Sequence, residues 1–115
     1  SNSGLKSIKI PRLVNIIQPF AFQNCEFLEN IEFLDLTETQ KEKLLVISNL
    51  FIGNNSFKDC VLLKTITLPK YTKKIYQNAF SGCINLKTVI INAYKEEIDI
   101  DDNAFDSHTK IIFRS

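Results

Sequence analysis

The stretch of sequence that decides the fold is residues 17–33, which read IQPFAFQNCEFLENIEF. It follows the pattern I-x4-F-x2-C-x2-L-x2-I-x-Φ, in which Φ is an apolar residue. The same columns recur in residues 52–68 and 75–91, and a fourth, degenerate copy starts at Ile100 and Phe105. A fixed period of this kind indicates a repeat architecture, in which each unit stacks on the next one.

The spacing between repeats gives the length of one coil and locates the irregularities. Along the phenylalanine column the intervals are 35, 23 and 25 residues, between Phe22, Phe57, Phe80 and Phe105. The basic unit is therefore 23 residues. The interval of 25 adds two residues within residues 92–99, and the interval of 35 implies a 12-residue insertion between Phe33 and Ile52.

These intervals predict one solenoid over residues 1–115. Its repeat units are expected at about 5–11, 12–34, 47–69, 70–92 and 93–113, with the insertion at about 35–50. The first unit matches only the second half of the repeat, so we expect the sequence to start inside a repeat of a longer protein. The insertion is rich in helix formers, and Thr37 with Gln40 resembles a capping box. A short helix or a folded loop is expected there.

Within one unit, the segment Leu-x-x-Ile-x-Φ alternates apolar and polar residues, which is typical of a strand with one buried face. Pro11 and Pro69 directly follow two of these strands and mark their ends, because proline has no amide hydrogen to donate. A second short strand is expected at the Ile17 and Ile75 column, six residues further on. The Phe-x-x-Cys-x-x-Leu segment has the spacing of a single helical or 3₁₀ turn.

These residues resemble the BspA-type leucine-rich repeat, whose copies read approximately I-x-x-x-A-F-x-x-C-x-x-L-x-x-I-x-[IL]-P. Ser56 replaces the alanine of the second copy, and His108 and Lys110 break the pattern of the fourth. Apart from the insertion and the termini, the resemblance covers almost the whole chain. It implies a leucine-rich-repeat solenoid of α/β type, mainly β with short helical turns, with parallel strands on the concave face and about four coils. The Ala-Phe pairs that carry the resemblance are Ala21-Phe22, Ala79-Phe80 and Ala104-Phe105.

Stacking of the coils predicts continuous ladders of like side chains, because a single coil of this length cannot bury its own apolar face. A ladder position explains the cysteines, since a free cysteine behaves as a small buried hydrophobe. A disulfide between Cys60 and Cys83 remains an alternative, and it would leave one thiol over. The predicted structural ladder consists of Phe22, Phe57, Phe80, Phe105, Cys25, Cys60 and Cys83.

Composition and charge argue against several classes of function. The 14 Lys and Arg residues nearly balance the 13 Asp and Glu residues, for a net charge of +1, so no nucleic-acid partner is expected. No apolar run is long enough to span a bilayer, so membrane insertion is not expected either. The sequence has three glycines and no phosphate-binding loop or nucleophile motif, and we expect neither an enzyme nor a cofactor.

No metal site is expected, although two groups of residues invite the question. Cys60, Cys83 and His108 lack a paired C-x-x-C and provide too few ligands for zinc. Asp99, Asp101 and Asn103 alternate like the start of a calcium loop, but the glycine and the glutamate that such a loop requires further on are missing. A solvated acidic loop is the preferred interpretation of that segment, and His108 is expected to cap the end of the stack.

The candidate binding face is the outward-facing side of the concave strands. These positions are small, polar and mixed in charge, which fits a modest protein-binding surface better than a ligand pocket. One column is Ser7, Asn30, Thr65 and Thr88, and the next is Lys9, Glu32, Thr67 and Ile90.

The resemblance to BspA-type repeats implies a non-enzymatic interaction module, part of a surface-displayed or secreted adhesion-type protein. Its partner would be a host, matrix or other cell-surface protein. A structural spacer or an intracellular scaffold without a ligand of its own is the alternative. Residues 5–10 would form an open strand edge, which we expect to promote self-association.

Overall fold

Short parallel strands, one or two per coil, make up most of the regular structure. A computed structural model describes residues 4–45 and 48–115. The elements in chain order are β1 (Ser7–Ile10), β2 (Ile16–Ile17), β3 (Asn30–Phe33), α1 (Glu38–Lys43), β4 (Leu50–Ile52), β5 (Thr65–Leu68), β6 (Thr72–Ile75), β7 (Thr88–Tyr94), a 3₁₀ helix (Lys95–Glu97), β8 (Asp99–Ile100) and β9 (Lys110–Arg114).

The strands form two rows that run along the stack, and every pairing is parallel. One row is the sheet β2-β4-β6-β8. The other row, here called the concave row, consists of β1-β3 and, as a separate sheet, β5-β7-β9. The predicted leucine-rich-repeat solenoid is confirmed, with about five turns and very little helix. The predicted strand ends at Pro11 and Pro69 are also confirmed, since β1 ends at Ile10 and β5 at Leu68.

The core is a set of side-chain ladders that run through the coils. The rings of Phe22, Phe57, Phe80 and Phe105 stack in that order, with centroid separations of 5.2, 5.2 and 5.0 Å and interplanar angles of 5–11°. The separations match the distance between neighbouring strands, which is about 4.8 Å. Phe57 and Phe80 are fully buried, whereas the rings at the two ends are half-buried.

The segment that joins the two rows has the i to i+3 bonds of the expected helical or 3₁₀ turn, but it does not continue as a regular helix. Successive i to i+3 bonds are present, such as those from the Cys25 amide to the Phe22 carbonyl and from the Cys60 amide to the Phe57 carbonyl, both 3.3 Å. They form consecutive turns and no regular helix, because two positions in each of three coils have a left-handed backbone that interrupts it. The first position is occupied by Phe20, Asn55 and Asn78, with φ of 64°, 60° and 59°, and the second by Asn24, Asp59 and Gly82, with φ of 61°, 64° and 77°.

The insertion contains the short helix that its sequence predicts. Thr37 is the N-cap of α1: its hydroxyl accepts from the Gln40 amide at 3.1 Å, and its own amide donates to Gln40 Oε1 at 2.8 Å. No residue of this helix is buried, so α1 extends from the solenoid surface. The two extra residues of the fourth coil coincide with the 3₁₀ helix. The repeat boundaries given above stay a prediction.

Candidate interaction surface

The outward-facing residues of the concave row are free of core packing. Seven of the eight candidate residues are exposed, and the eighth, Thr88, is half-buried. Each strand alternates, so the residues between them point into the core: Ile66 and Leu68 of β5 are buried, whereas Thr65 and Thr67 are exposed. Whether these residues bind a partner stays a prediction.

Hydrogen-bonded pairing along the concave row is interrupted once, between β3 and β5. Within each sheet the register is as expected, with Lys9 opposite Glu32, and Thr67 opposite Ile90. The two sheets of the concave row are not hydrogen-bonded to each other, however, because β3 and β5 do not pair. The hydrogen-bonded ladder of the concave row is therefore interrupted between β3 and β5, and the assignment of the candidate residues to columns stays a prediction.

Backbone bonds at the start of the strands show the same break. The amide of one coil donates to the carbonyl of the coil before it from Glu29 to Lys6 (2.7 Å), from Lys87 to Lys64 (3.1 Å) and from Lys110 to Lys87 (2.8 Å). Among the residues that the structure describes, there is no equivalent bond from the Lys64 amide to the Glu29 carbonyl. Cα atoms of β3 and β5 still approach within 8 Å, so the strands are neighbours without being paired.

A cleft lies along β3 and β5, and a similar one lies along the paired strands β1 and β3. The volume of the first cleft is about 330 Å³, and residues of β3 and β5 line both walls, among them Glu32, Phe33 and Thr67. Phe33 and Thr67 also line a second cavity, of about 420 Å³, beyond the carboxyl ends of the concave strands. The cleft therefore leads into this cavity, which we call the strand-end cavity.

Three cationic side chains line the strand-end cavity: Arg12, Lys70 and Arg114. The Arg12 guanidinium lies over the Tyr71 ring, with Cζ 3.6 Å from the centroid, and Arg114 lies over Tyr94 at 5.7 Å. The described residues provide no carboxylate within 4.0 Å of any of these three cations. The Nη1 atom of Arg12 is buried and has no hydrogen-bond partner.

Asp35 is the single carboxylate that lines this cavity, and it is already engaged. It accepts from the Leu36 amide at 2.7 Å and lies 3.5 Å from Lys41 Nζ of α1. The Leu36 hydrogen bond, followed by the charges of Lys41 and of Arg12, lowers the pKa of Asp35. The cavity thus combines three cations with one carboxylate whose oxygens serve other groups.

Sequence reasoning did not find the strand-end cavity. Its members come from different coils, and although Arg12 and Lys70 both follow a strand-ending proline, no spacing connects either of them to Arg114. A weak signal existed in Tyr71, an aromatic residue two positions after the strand-ending Pro69. Lys110 and Ile112 also extend the exposed columns onto β9, opposite Thr88 and Ile90. The sequence does not indicate this extension, because His108 and Lys110 break the repeat pattern just before β9.

The cysteines occupy the core, and all three are free and buried. The Cys60 thiol donates to the Phe22 carbonyl at 3.3 Å, and the Cys83 thiol donates to the Phe57 carbonyl at 3.1 Å, so each one bridges to the previous coil. The neighbouring Cys60 thiol, followed by burial, raises the pKa of Cys83. A thiol of this kind is a poor nucleophile, because the thiolate is the reactive form.

The acidic segment is paired within the chain. Lys74 Nζ lies 2.9 Å from Asp99 and 3.5 Å from Asp101. Among the residues that the structure describes, no group of three or more His, Cys, Asp or Glu side chains is arranged to hold a metal ion. Over the same residues, no helix has the length and hydropathy needed to cross a membrane.

Comparison with known proteins identifies the family. The family model described as BspA type leucine-rich repeat region (6 copies) matches residues 1–50 and 44–113. The chain therefore belongs to the BspA-type leucine-rich repeat family, which suggests a repeat module for protein interaction. No curated protein and no solved structure matches the chain.

Proposed function

We propose that this chain is a non-enzymatic interaction module of a surface-displayed or secreted adhesion-type protein, and that it contacts a host, matrix or other cell-surface protein through its concave row. The observation that carries the proposal is the set of exposed polar side chains on this row, such as Lys9, Glu32 and Thr67. They have no role in packing, and regular columns of mixed charge suit a protein partner better than a small ligand. Membership of the BspA-type family supports the same conclusion.

The test compares two charge-altering triple variants. The first changes the concave row (Lys9→Glu, Glu32→Lys, Thr67→Lys), and the matched control changes exposed residues outside it (Glu26→Lys, Lys73→Glu, Ser107→Lys). Labelled protein is applied to cultured cells and to matrix deposited by those cells. We expect the wild type and the control variant to bind and the concave-row variant to lose most of its binding. Equal binding by both variants, or no binding by the wild type, contradicts the proposal and favours a spacer.

An intracellular scaffold is the second candidate function, because the three cysteines are free. Their burial makes them compatible with an oxidising compartment too, since a buried thiol is protected from oxidants. Mass measurement of the natural protein, with and without a thiol-alkylating reagent under denaturing conditions, tests this candidate. Three free thiols without glycosylation favour the scaffold, and a glycosylated or disulfide-linked protein excludes it.

A further inference from the structure

We propose that the strand-end cavity binds an acidic side chain of the partner protein, with the segment that carries it extended along the cleft between β3 and β5. This inference rests on the proposed function, because it assumes that the concave row contacts a protein. It adds the chemistry of the contact: a carboxylate is held by Arg12, Lys70 and Arg114.

The charges that line the strand-end cavity favour an anionic occupant. The cavity has three cationic residues, and its only carboxylate, Asp35, is engaged by Leu36 and Lys41. Unpaired cations that converge on a concave site attract an anion more strongly than they would on an open surface, because the low-dielectric walls focus the field. The site is therefore short of negative charge.

The geometry of Arg12 favours a carboxylate as that anion. Stacking on Tyr71 fixes the plane of its guanidinium, so less side-chain entropy is lost when a ligand binds. Its buried Nη1 lacks an acceptor, and leaving a buried charged donor unpaired is unfavourable. A carboxylate matches this need, since its two oxygens accept two parallel N–H bonds from one guanidinium.

The cleft explains why the occupant is a peptide and not a free anion. It shares Phe33 and Thr67 with the strand-end cavity and runs from there along both strands. Because β3 and β5 do not pair with each other, the backbone groups on their facing edges have no partner in the other strand. Since the Cα atoms of β3 and β5 approach within 8 Å, no further strand fits between them, and an extended segment lies over their outward face, where Thr65 and Thr67 are exposed.

The experiment is an NMR titration of the ¹⁵N-labelled chain with two capped octapeptides. Both alternate Thr and Val and differ only at the end, which is Glu-Glu in one and Gln-Gln in the other. We expect the Glu peptide to bind with a Kd on the order of 1 mM and to shift the amide signals of Arg12, Phe33, Thr67 and Arg114. The Gln peptide is expected to bind about tenfold more weakly, because charge-assisted hydrogen bonds are the stronger ones.

Variants of the chain assign the effect to the cavity. Arg12→Gln and Arg114→Gln should each weaken binding of the Glu peptide about tenfold, and Arg12→Lys should give an intermediate loss, because it keeps the charge but not the fork. Lys73→Gln, which removes an exposed charge outside the concave row, is the matched control and should leave the affinity unchanged. Arg114 is exposed near the end of β9, so this variant reports on binding even where Arg12→Gln perturbs folding.

Several outcomes overturn the inference. Equal affinity for the Glu and Gln peptides would show that the carboxylate is not recognised. Shifts of amide signals only outside the cavity would show that the cavity is not the binding site. If acetate shifts the same amide signals as strongly as the Glu peptide does, the site binds a free anion and does not require a peptide. Absence of peptide binding, combined with binding to cells or matrix that the concave-row variant abolishes, refutes this inference but leaves the proposed function standing.

Discussion

The ring of Phe57 lies 5.2 Å from the ring of Phe80, and their planes are within 11° of parallel. Both rings are fully buried, although their positions in the sequence are 23 residues apart. Each ring fills the space above the equivalent ring of the next coil, and the coils are consequently held together by contacts between identical side chains. Stability of such an array is approximately the sum of these nearest-neighbour interfaces.

Replacing Phe80 with alanine is expected to reduce the free energy of unfolding by about 3–5 kcal/mol and to abolish cooperative unfolding. The reason is that Phe80 stacks on both Phe57 and Phe105, so its removal weakens two interfaces at once. Urea denaturation followed by circular dichroism measures the loss. The control Phe105→Ala, at the half-buried end of the ladder, should cost less, and an unchanged curve for Phe80→Ala would refute the ladder.

Ser56→Ala is expected to stabilise the chain by about 1–2 kcal/mol. Ser56 is fully buried, and its hydroxyl has no hydrogen-bond partner, whereas Ala79 and Ala104 occupy the equivalent positions of later coils. The measurement is the denaturation midpoint. Ser81→Ala is the control and should destabilise, since the Ser81 hydroxyl bonds to Asn78 at 3.0 Å and Asn103 at 2.9 Å. A lower midpoint for Ser56→Ala would contradict this prediction.

Phe20→Asn should also raise the free energy of unfolding, by about 1 kcal/mol. Phe20 has φ of 64° and a side chain that is 54% exposed, and later coils carry asparagine at the same place. Asparagine tolerates the left-handed backbone better than a bulky aromatic residue does. Thermal unfolding measures the change, and Asn55→Ala should move the midpoint in the opposite direction. If Phe20→Asn were destabilising, the ring would have a packing role that its exposure does not indicate.

Stability is expected to fall as the pH rises above about 8.5, the ordinary pKa of a thiol. The contact between the two thiols raises the pKa of Cys83 and lowers that of Cys60. Burial adds to the first pKa shift and opposes the second, so the folded pair keeps a proton that the unfolded state releases. The contribution is complete below the unfolded pKa and is lost as the pH rises past it. Urea midpoints measured between about pH 7 and 9.5 give the slope. Cys83→Ala should flatten it, and an identical slope in this variant would refute the assignment.

Self-association through the open first coil is expected to depend on concentration. Ala21 is exposed although Ala79 and Ala104 are fully buried, and the outer face of the Phe22 ring has no aromatic neighbour. Beside them an apolar cavity of about 290 Å³ is lined by Val14 and Ile17, among others. Sedimentation velocity should show a dimer that grows with concentration, and Ala21→Lys should abolish it. A monomer at all concentrations would contradict self-association through the first coil.

Much of the fold could be predicted from the sequence, because stacking repeats the same physical requirement in every coil. The ladder, the strand ends at Pro11 and Pro69 and the capping box at Thr37 each leave a local signature. The two left-handed columns were also present in the sequence, as the asparagines at 55 and 78 and the series Asn24, Asp59 and Gly82, but the short helical interpretation of the segment concealed them.

The break between β3 and β5 could not be predicted, since both strands have the alternating pattern of a paired strand. The same holds for the strand-end cavity. Arg12, Tyr71 and Arg114 meet there only after the coils have stacked, and none of them occupies a column of the repeat.

Interstrand nuclear Overhauser effects in the labelled chain test the stacked architecture and its single break most directly. The account predicts contacts between the ring protons of consecutive phenylalanines from Phe22 to Phe105. It also predicts backbone contacts across β5, β7 and β9, with the paired pattern missing between β3 and β5. Phenylalanine rings without mutual contacts would contradict the stacked coils. Backbone contacts of a paired strand between β3 and β5 would contradict the break between the two sheets.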